Sequence, residues 1–545
     1  MCMIWALGHA LQRMAVELEQ VPADPKVHLR AEGGGKPMTL TLNADGSFSY
    51  NPPAGYEGTD SFNYTITNNA GSDVGTVVIT ITGMIWFVNA SAGACTTING
   101  TCGRLTNPFS TLGAFETANG NATPVVNGDV TSPEAGDHLF IFSGSYTGAL
   151  TLENNQRVVG AGATSSLQTL SGITPATDSD ALPATGGANP TITSSGIAVA
   201  QNNRLHGLTV QNTTNTGISG NGFGTLTISE NMIVSNTTTA GTAVNLNNGT
   251  LAATFRSISA GNNDANPDPA NGIVLTSTSG TFTVEGDGTN TSVGGNASGG
   301  TIRNTIGADG ATGGNAIFLQ NATGVTLRRM TISGTNQNNG IRGISVSNFT
   351  LEFSTVTGTN GTNGTGDESA IQFDNWTGTG AITSCIIEGG FEDNLNVVNT
   401  SGTLNRLTIS GTTFGFNSAA GGNNSITIDS QNAGTTLNFT LKSSLIKGSH
   451  IDWLNAGANS GSTMDAVIGG PLVADGNSFD NTGANAFVGP IPNGNRLVTG
   501  SIGNMTLDIR NNTLKGSLGE AIRVRSSAAG ARSRQRRASR SPSAS

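Results

Sequence analysis

Asp374 and Asp429 are the acids whose placement could do chemistry. Each stands next to last in a short alternating run, Ile371–Asn375 and Ile426–Ser430. Strand alternation there turns a side chain away from the apolar face made by Ile371, Phe373, Ile426 and Ile428. Two carboxylates on one outward face can divide acid and base work when their surroundings separate their pKa values. Counting along the chain puts these two about two coils, roughly 10 Å, apart. Asp367, Glu368, Glu392 and Asp393 fall in Gly/Asn-rich turns, where acids are ordinarily solvated. His9, His28, His138, His206 and His450 are scattered without ligand spacing, so neither a metal site nor a cofactor is expected. His206 precedes a Gly and a strand and is expected at a turn or on the surface. Alternation would point one member of the Arg328-Arg329 pair sideways or inward.

The elements that position these acids are repeats. Ile317–Asn321, Ile344–Asn348, Ile371–Asn375, Leu395–Asn399 and Ile426–Ser430 each start on an aliphatic residue. Each carries a second apolar residue two places on and ends four places on in Asn or Ser. The starts lie 27, 27, 24 and 31 residues apart. That period, with strand alternation inside it, predicts a solenoid whose units bury their apolar faces by stacking. Candidate strands recur in pairs, as at Ala316–Leu319 and Val325–Leu327, or Ala370–Phe373 and Ile382–Ile387. The end residues Asn321, Asn348, Asn375 and Asn399 form a column that suits bends, because Asn tolerates the left-handed region and bonds nearby backbone. Stacked side chains in such a column can also bond one another, so it is read as a structural ladder. The outward column beside it runs Gln320, Ser347, Asp374, Val398, Asp429. It carries no evident catalytic set.

Composition agrees with many short strands and tight turns. Of 545 residues, 77 are Gly, only 11% are charged and 5% aromatic. The net charge of −10 is uneven, because seven arginines lie in the last 23 residues. Without residues 519–545 the body holds 18 basic against 34 acidic residues, a balance that repels phosphate and argues against nucleic acid as a partner. No apolar run approaches the ~20 residues of a membrane-spanning helix. Cys95 and Cys102 flank a six-residue loop at a separation that a disulfide could close, against the alternative of two reduced thiols. A disulfide would place the chain in an oxidising, extracellular setting. Cys385 is expected to pack as a small hydrophobe.

Residues 1–35 read as a disordered or short helical segment, with a helix-compatible stretch at Trp5–Glu19. Residues 36–83 then alternate as strands, and Asp45-Gly46 marks a hairpin. Leu40–Tyr50 (LTLNADGSFSY), Pro52, Gly55, Tyr56 and Gly58–Thr67 (GTDSFNYTIT) resemble the C-terminal half of the cadherin-like, immunoglobulin-like tandem domains of large bacterial surface proteins. The aromatic residues Phe48, Tyr50, Tyr56, Phe62 and Tyr64 would supply most of its core.

Residues 84–525 form the solenoid. Trp86–Asn89, Asn107–Leu112, Gly136–Tyr146, Leu150–Leu152 and Val158–Gly162 resemble the opening coils of right-handed parallel β-helix proteins of the pectate-lyase-like superfamily. A helical stretch around Leu112–Ala118 would cap the open end. The resemblance carries no catalytic residues onto this chain. Residues 526–545, rich in Arg, Ser and Ala, read as a disordered basic tail.

The sequence thus predicts an all-β chain: a right-handed parallel β-helix preceded by a partial antiparallel cadherin-like domain. The expected function is that of a bacterial surface or secreted structural protein, a spacer or adhesive face for a cell-surface or glycan ligand, within a longer chain. The competing expectation is a polysaccharide-active β-helix enzyme using Asp374 and Asp429. Trp376 and Trp453 are scant material for a long glycan cleft, which generally needs exposed aromatic platforms.

Overall fold

The computed structural model describes residues 3–5, 28–33, 39–42, 48–51, 58–68, 71–95, 102–120, 125–126, 129–130, 132–175, 179–262, 268–362, 368–418, 420–489 and 495–526. They fall into two units, residues 1–193 with 198–209, and residues 194–197 with 210–545.

In the first unit, four antiparallel strands lie in the order Met3–Trp5, Gly71–Thr82, Gly58–Asn68, His28–Gly33. Alternation along Gly71–Thr82 buries Val77, Ile79 and Ile81 and leaves Val78 and Thr80 outside. These three pack with Tyr50 and Phe62, and Phe48 and Tyr64 lie against them. Tyr56 lies outside the described residues. Residues 1–35 therefore contain strands at Met3–Trp5 and His28–Gly33 rather than only a disordered or helical segment. Residues 6–19 of the expected helical stretch fall outside the described residues.

The same unit continues into parallel strands Ile85–Val88, His138–Ile141, Arg157–Gly160 and Arg204–His206, paired in that order. Helix Leu112–Ala118 forms where the sequence placed it, and the Thr111 side chain caps its N-terminus by accepting from the Ala114 N–H. It buries Leu112, Ala114, Phe115 and Ala118. His206 is buried at the end of its strand, not at a turn or the surface. Cys95 and Cys102 are joined in a disulfide.

The second unit is a β-helix of three parallel sheets. The first sheet runs through Ile273–Val284, Ile317–Gln320, Ile341–Ile344, Ile371–Asp374, Leu395–Asn399, Ile426–Ser430, Leu454–Ala458 and Leu497–Ser501. The second includes Val325–Arg328, Ser347–Glu352, Thr377–Thr383, Thr403–Ser410 and Thr436–Lys442. The third includes Gly300–Arg303, Met330–Ser333, Thr355–Val356, Ile386–Ile387, Thr413–Phe414 and Leu445–Lys447. Sequence reasoning found only two strands per coil in most coils. The third is two to four residues long in these coils, too short for alternation to show.

In five coils the corner between the first two sheets turns on one left-handed residue. Asn248, Ser277, Asn321, Ser345 and Asn375 sit there at φ of 51–58°. That left-handed conformation costs Asn least among non-glycine residues, which is why Asn recurs. The second corner is built likewise by Arg329, Phe353, Ser384 and Ser443.

The pairing register corrects one repeat. Ile317 pairs with Ile341, and Gln320 with Ile344, so the strand equivalent to Ile317–Gln320 is Ile341–Ile344. The 344–348 run straddles a corner: Ser345 turns the chain, which returns Val346 to the interior. Asn348 therefore leaves the proposed ladder and lies at an irregularity within the Ser347–Glu352 strand, where its Oδ1 accepts from the Thr379 N–H at 3.0 Å. Ser345 takes its place at the corner. Asn399 differs again, being fully buried, with Oδ1 accepting from Trp376 N–H at 2.9 Å and Nδ2 donating to Trp376 O at 2.6 Å.

Another polar column stands two residues before each first-sheet strand: Asn271, Asn315, Asn339, Ser369, Asp393, Asn424, Asp452 and Asn495, all buried. Asn339 N–H and Nδ2 both donate to Asn315 Oδ1 at 3.1 Å, and Ser369 N–H donates to Asn339 Oδ1 at 2.8 Å. These bonds satisfy backbone groups that the corner removes from the sheets. The signal was present in the triplets Asn315-Ala316-Ile317, Asn339-Gly340-Ile341 and Ser369-Ala370-Ile371.

Candidate functional site

The outer face of the first sheet carries both of the outward acids, Asp374 and Asp429. Its strands keep Ile317, Leu319, Ile371, Phe373, Leu395 and Val397 inside, so the intervening residues face outward. One outward row runs Phe318, Arg342, Gln372, Asn396, Thr427. The next runs Gln320, Ile344, Asp374, Val398, Asp429. Ile344, not Ser347, thus precedes Asp374. Beneath them Gly343 leaves its inward position free for Phe373 of the next rung: a Cβ there would meet the Phe373 ring at 2.3 Å. Phe373 in turn stacks on Trp376, with ring centroids 4.3 Å apart.

Asp374 and Asp429 lie on this face two rungs apart, with Val398 between them. Asp374 Oδ2 pairs with Arg342 Nη2, and Arg342 Nη1 donates to Gly343 O at 2.9 Å. Asp429 accepts from Gln431 Nε2 at 2.7 Å and from Asn459 Nδ2 at 2.6 Å. Burial raises the Asp429 carboxyl above its ordinary pKa, and those two amides oppose the shift only in part. The two acids therefore share a face but no partner.

Gln372 and Asn396, which sequence reasoning passed over, occupy neighbouring rungs of the first row. Both are buried although they point away from the core, and neither Gln372 Oε1 nor Asn396 Oδ1 accepts a hydrogen bond. Nothing in their local sequence distinguishes them from other outward polar residues.

The other candidates serve the scaffold. Arg328 faces outward and pairs with Glu352 at 2.7 Å. Arg329 turns at the corner and is buried, donating to Asn290 O at 2.7 Å and Glu285 O at 2.5 Å, with Asp287 at 3.2 Å and the Phe353 ring at 5.4 Å. It fastens the 286–299 loop to the corner. The Asp287 carboxyl is held well below its ordinary range, first by the Asn290 N–H and then by the Asn296 amide. Trp376 and Trp453 are wholly buried and offer no exposed platform. Cys385 is buried, and burial pushes its thiol up to about 12. Glu368 and Asp393 are buried rather than solvated, and Asp367 lies outside the described residues. Among the described residues, no three or more His, Cys, Asp or Glu side chains cluster to hold a metal ion.

Residues 20–83 match the family of bacterial cadherin-like domains, a match that begins upstream of the resemblance seen from residue 36. No curated protein matches the chain. Among solved structures, the Agl-KA catalytic domain aligns with 93% of this chain and 91% of its own, at 14% identity and a TM-score of 0.34. A family 28 exopolygalacturonase from Yersinia enterocolitica covers 86% and 84%, at 10% identity and a TM-score of 0.22. The catalytic unit of a GH87 alpha-1,3-glucanase from Streptomyces thermodiastaticus strain HF3-3 covers 93% and 86%, at 13% identity and a TM-score of 0.21. At such scores these likenesses carry no functional argument.

Proposed function

We propose that this chain is a non-catalytic, extracellular β-helix, a spacer of the bacterial surface or secretome that presents the outer face of its first sheet to a ligand. The observation that carries this reading is the separation of the two outward acids. Asp374 is engaged by Arg342, Asp429 by two amides, and the rung between them carries Val398. Acid and base in glycoside hydrolysis work as a pair flanking one bond, about 5–9.5 Å apart; these two stand roughly 10 Å apart along the axis, at the far end of that range, and each is held by its own partners. The cadherin-like match and the disulfide between Cys95 and Cys102 support an extracellular location. No helix among the described residues is long and apolar enough to cross a membrane.

The second reading, a polysaccharide-active enzyme, is favoured by the raised pKa of Asp429, which suits a general acid. Incubation of the full chain with neutral and uronic-acid glycans, followed by reducing-end and unsaturated-product assays, separates the two. The spacer reading expects no product. Cleavage lost in both Asp374→Ala and Asp429→Ala would establish the enzyme instead.

A further inference from the structure

From two neighbouring guanidiniums that no acid among the described residues neutralises, we propose that Arg157 and Arg204 form a binding site for a single oxyanion, a carboxylate, sulfate or phosphate group. The site lies in the first unit, on strands Arg157–Gly160 and Arg204–His206, and is independent of any ligand on the outer face of the first sheet.

Register sets the two side by side. His138 pairs with Arg157, and Arg157 with Arg204, on rungs about 4.8 Å apart. Val158 and Leu205, the next residues along, are wholly buried, so alternation turns both arginines outward. Like charges directly opposite on neighbouring strands repel. Burial first, and then the Arg204 charge, lower the Arg157 pKa. Other cations of this chain are neutralised: Arg328, Arg329, Arg342, Arg406, Lys442, Arg496, Arg510 and Arg523 each hold a carboxylate. Among the described residues, neither Arg157 nor Arg204 pairs with an acid. Two such charges kept together without a counter-charge mark a place where the anion comes from outside.

The surroundings fix one arginine and leave the other open. Arg157 Nη1 donates to Ser171 O at 2.8 Å, an oxygen that also lies 2.9 Å from His138 Nε2. Ser171 ends the helix Leu167–Ser171, and cationic side chains commonly bond such last carbonyls. That bond orients the Arg157 guanidinium and leaves its other N–H groups available. Arg204 is exposed, so solvent and ligand both reach it. Two planar forks of donors with surplus positive charge select an acceptor that carries several oxygens and a negative charge. A neutral sugar would leave the repulsion in place. An extended polyanion is opposed by the acidic body, 18 basic against 34 acidic residues. One isolated oxyanion meets both conditions.

The test uses the full chain in isothermal titration calorimetry at constant ionic strength, with glucuronate, sulfate and inorganic phosphate as probes and chloride as the comparison. At least one probe should bind saturably, and the one bound most tightly identifies the oxyanion. Binding should weaken at least about tenfold in Arg204→Gln and in Arg157→Gln, as loss of a charge-assisted hydrogen bond implies. Arg204→Gln should keep or raise the melting temperature in chloride, because it removes the repulsion between the two guanidiniums. Its side chain is exposed, so this variant decides the matter should Arg157→Gln fail to fold. Absence of saturable binding by all three probes at millimolar concentration, or unchanged affinity in folded Arg204→Gln, would overturn the site.

Discussion

Replacing Arg496 by Met should strand the Asp452 carboxylate in the wall of the β-helix. In the native chain Arg496 N–H and Nε donate to Asp452 Oδ1 at 3.1 and 2.9 Å, and Nη2 donates to Oδ2 at 3.1 Å. The side chains are only 11% and 7% exposed, so water cannot replace the guanidinium. Breaking such a buried pair from one side costs about 3–5 kcal/mol, whereas exchanging both members for apolar residues is close to neutral. Arg496→Met should therefore lose at least about 3 kcal/mol, and Asp452→Asn/Arg496→Met, which removes the stranded charge and keeps an acceptor for the Arg496 N–H, should recover most of it. Each coil of a solenoid touches only its neighbours, so a global melt would dilute the effect. Native-state hydrogen exchange reads it locally. Amides in Leu454–Ala458 and Leu497–Ser501 should lose about a hundredfold in protection in the single variant, while those in Ile317–Gln320 stay unchanged. A loss below tenfold, or a double variant as damaged as the single one, would refute the argument.

Three further outcomes follow from other sites. Because burial raises the Asp429 pKa, the ionised carboxylate opposes folding above the ordinary carboxylate range, and this penalty is absent below it. Asp429→Asn should accordingly stabilise the chain at neutral pH and make no difference in acid, as urea titrations at the two pH values would show; a gain that persists in acid would contradict the assignment. Asn399→Ala removes both bonds to the Trp376 backbone and should cost about 1–3 kcal/mol, against a few tenths for Asn348→Gly at an exposed left-handed position, measured by urea midpoints. With its thiol pushed up to about 12 by burial, Cys385 should resist iodoacetamide in the folded chain at neutral pH and react only on unfolding; rapid native labelling, followed by mass spectrometry, would show the site to be open.

Much of the outer face was legible before any coordinates. Asp374, Val398 and Asp429 occupy the row that alternation assigned them, at the two-rung separation that counting implied. Gln372 and Asn396 were not legible, because their interest lies in burial on the outward side and in missing partners, and neither leaves a mark on the local pattern. Asp452 and Arg496 were equally silent, since residues 44 apart in the chain meet only through the stacking of coils.

Periodicity by itself determined that this chain stacks as a solenoid, since an aliphatic pair recurring every few dozen residues can be buried only by its neighbours. Local chemistry determined the Leu112–Ala118 helix, with its Thr111 cap, and the recurrence of Asn at corners. Register belonged to the tertiary structure. The 341–344 and 344–348 runs both offer apolar residues at strand spacing, and no local rule chooses between them. The choice falls to Ile341–Ile344 because only that register sets Gly343 against Phe373 and Asn339 between Asn315 and Ser369. Those are contacts between coils, and they exist only once the coils have stacked.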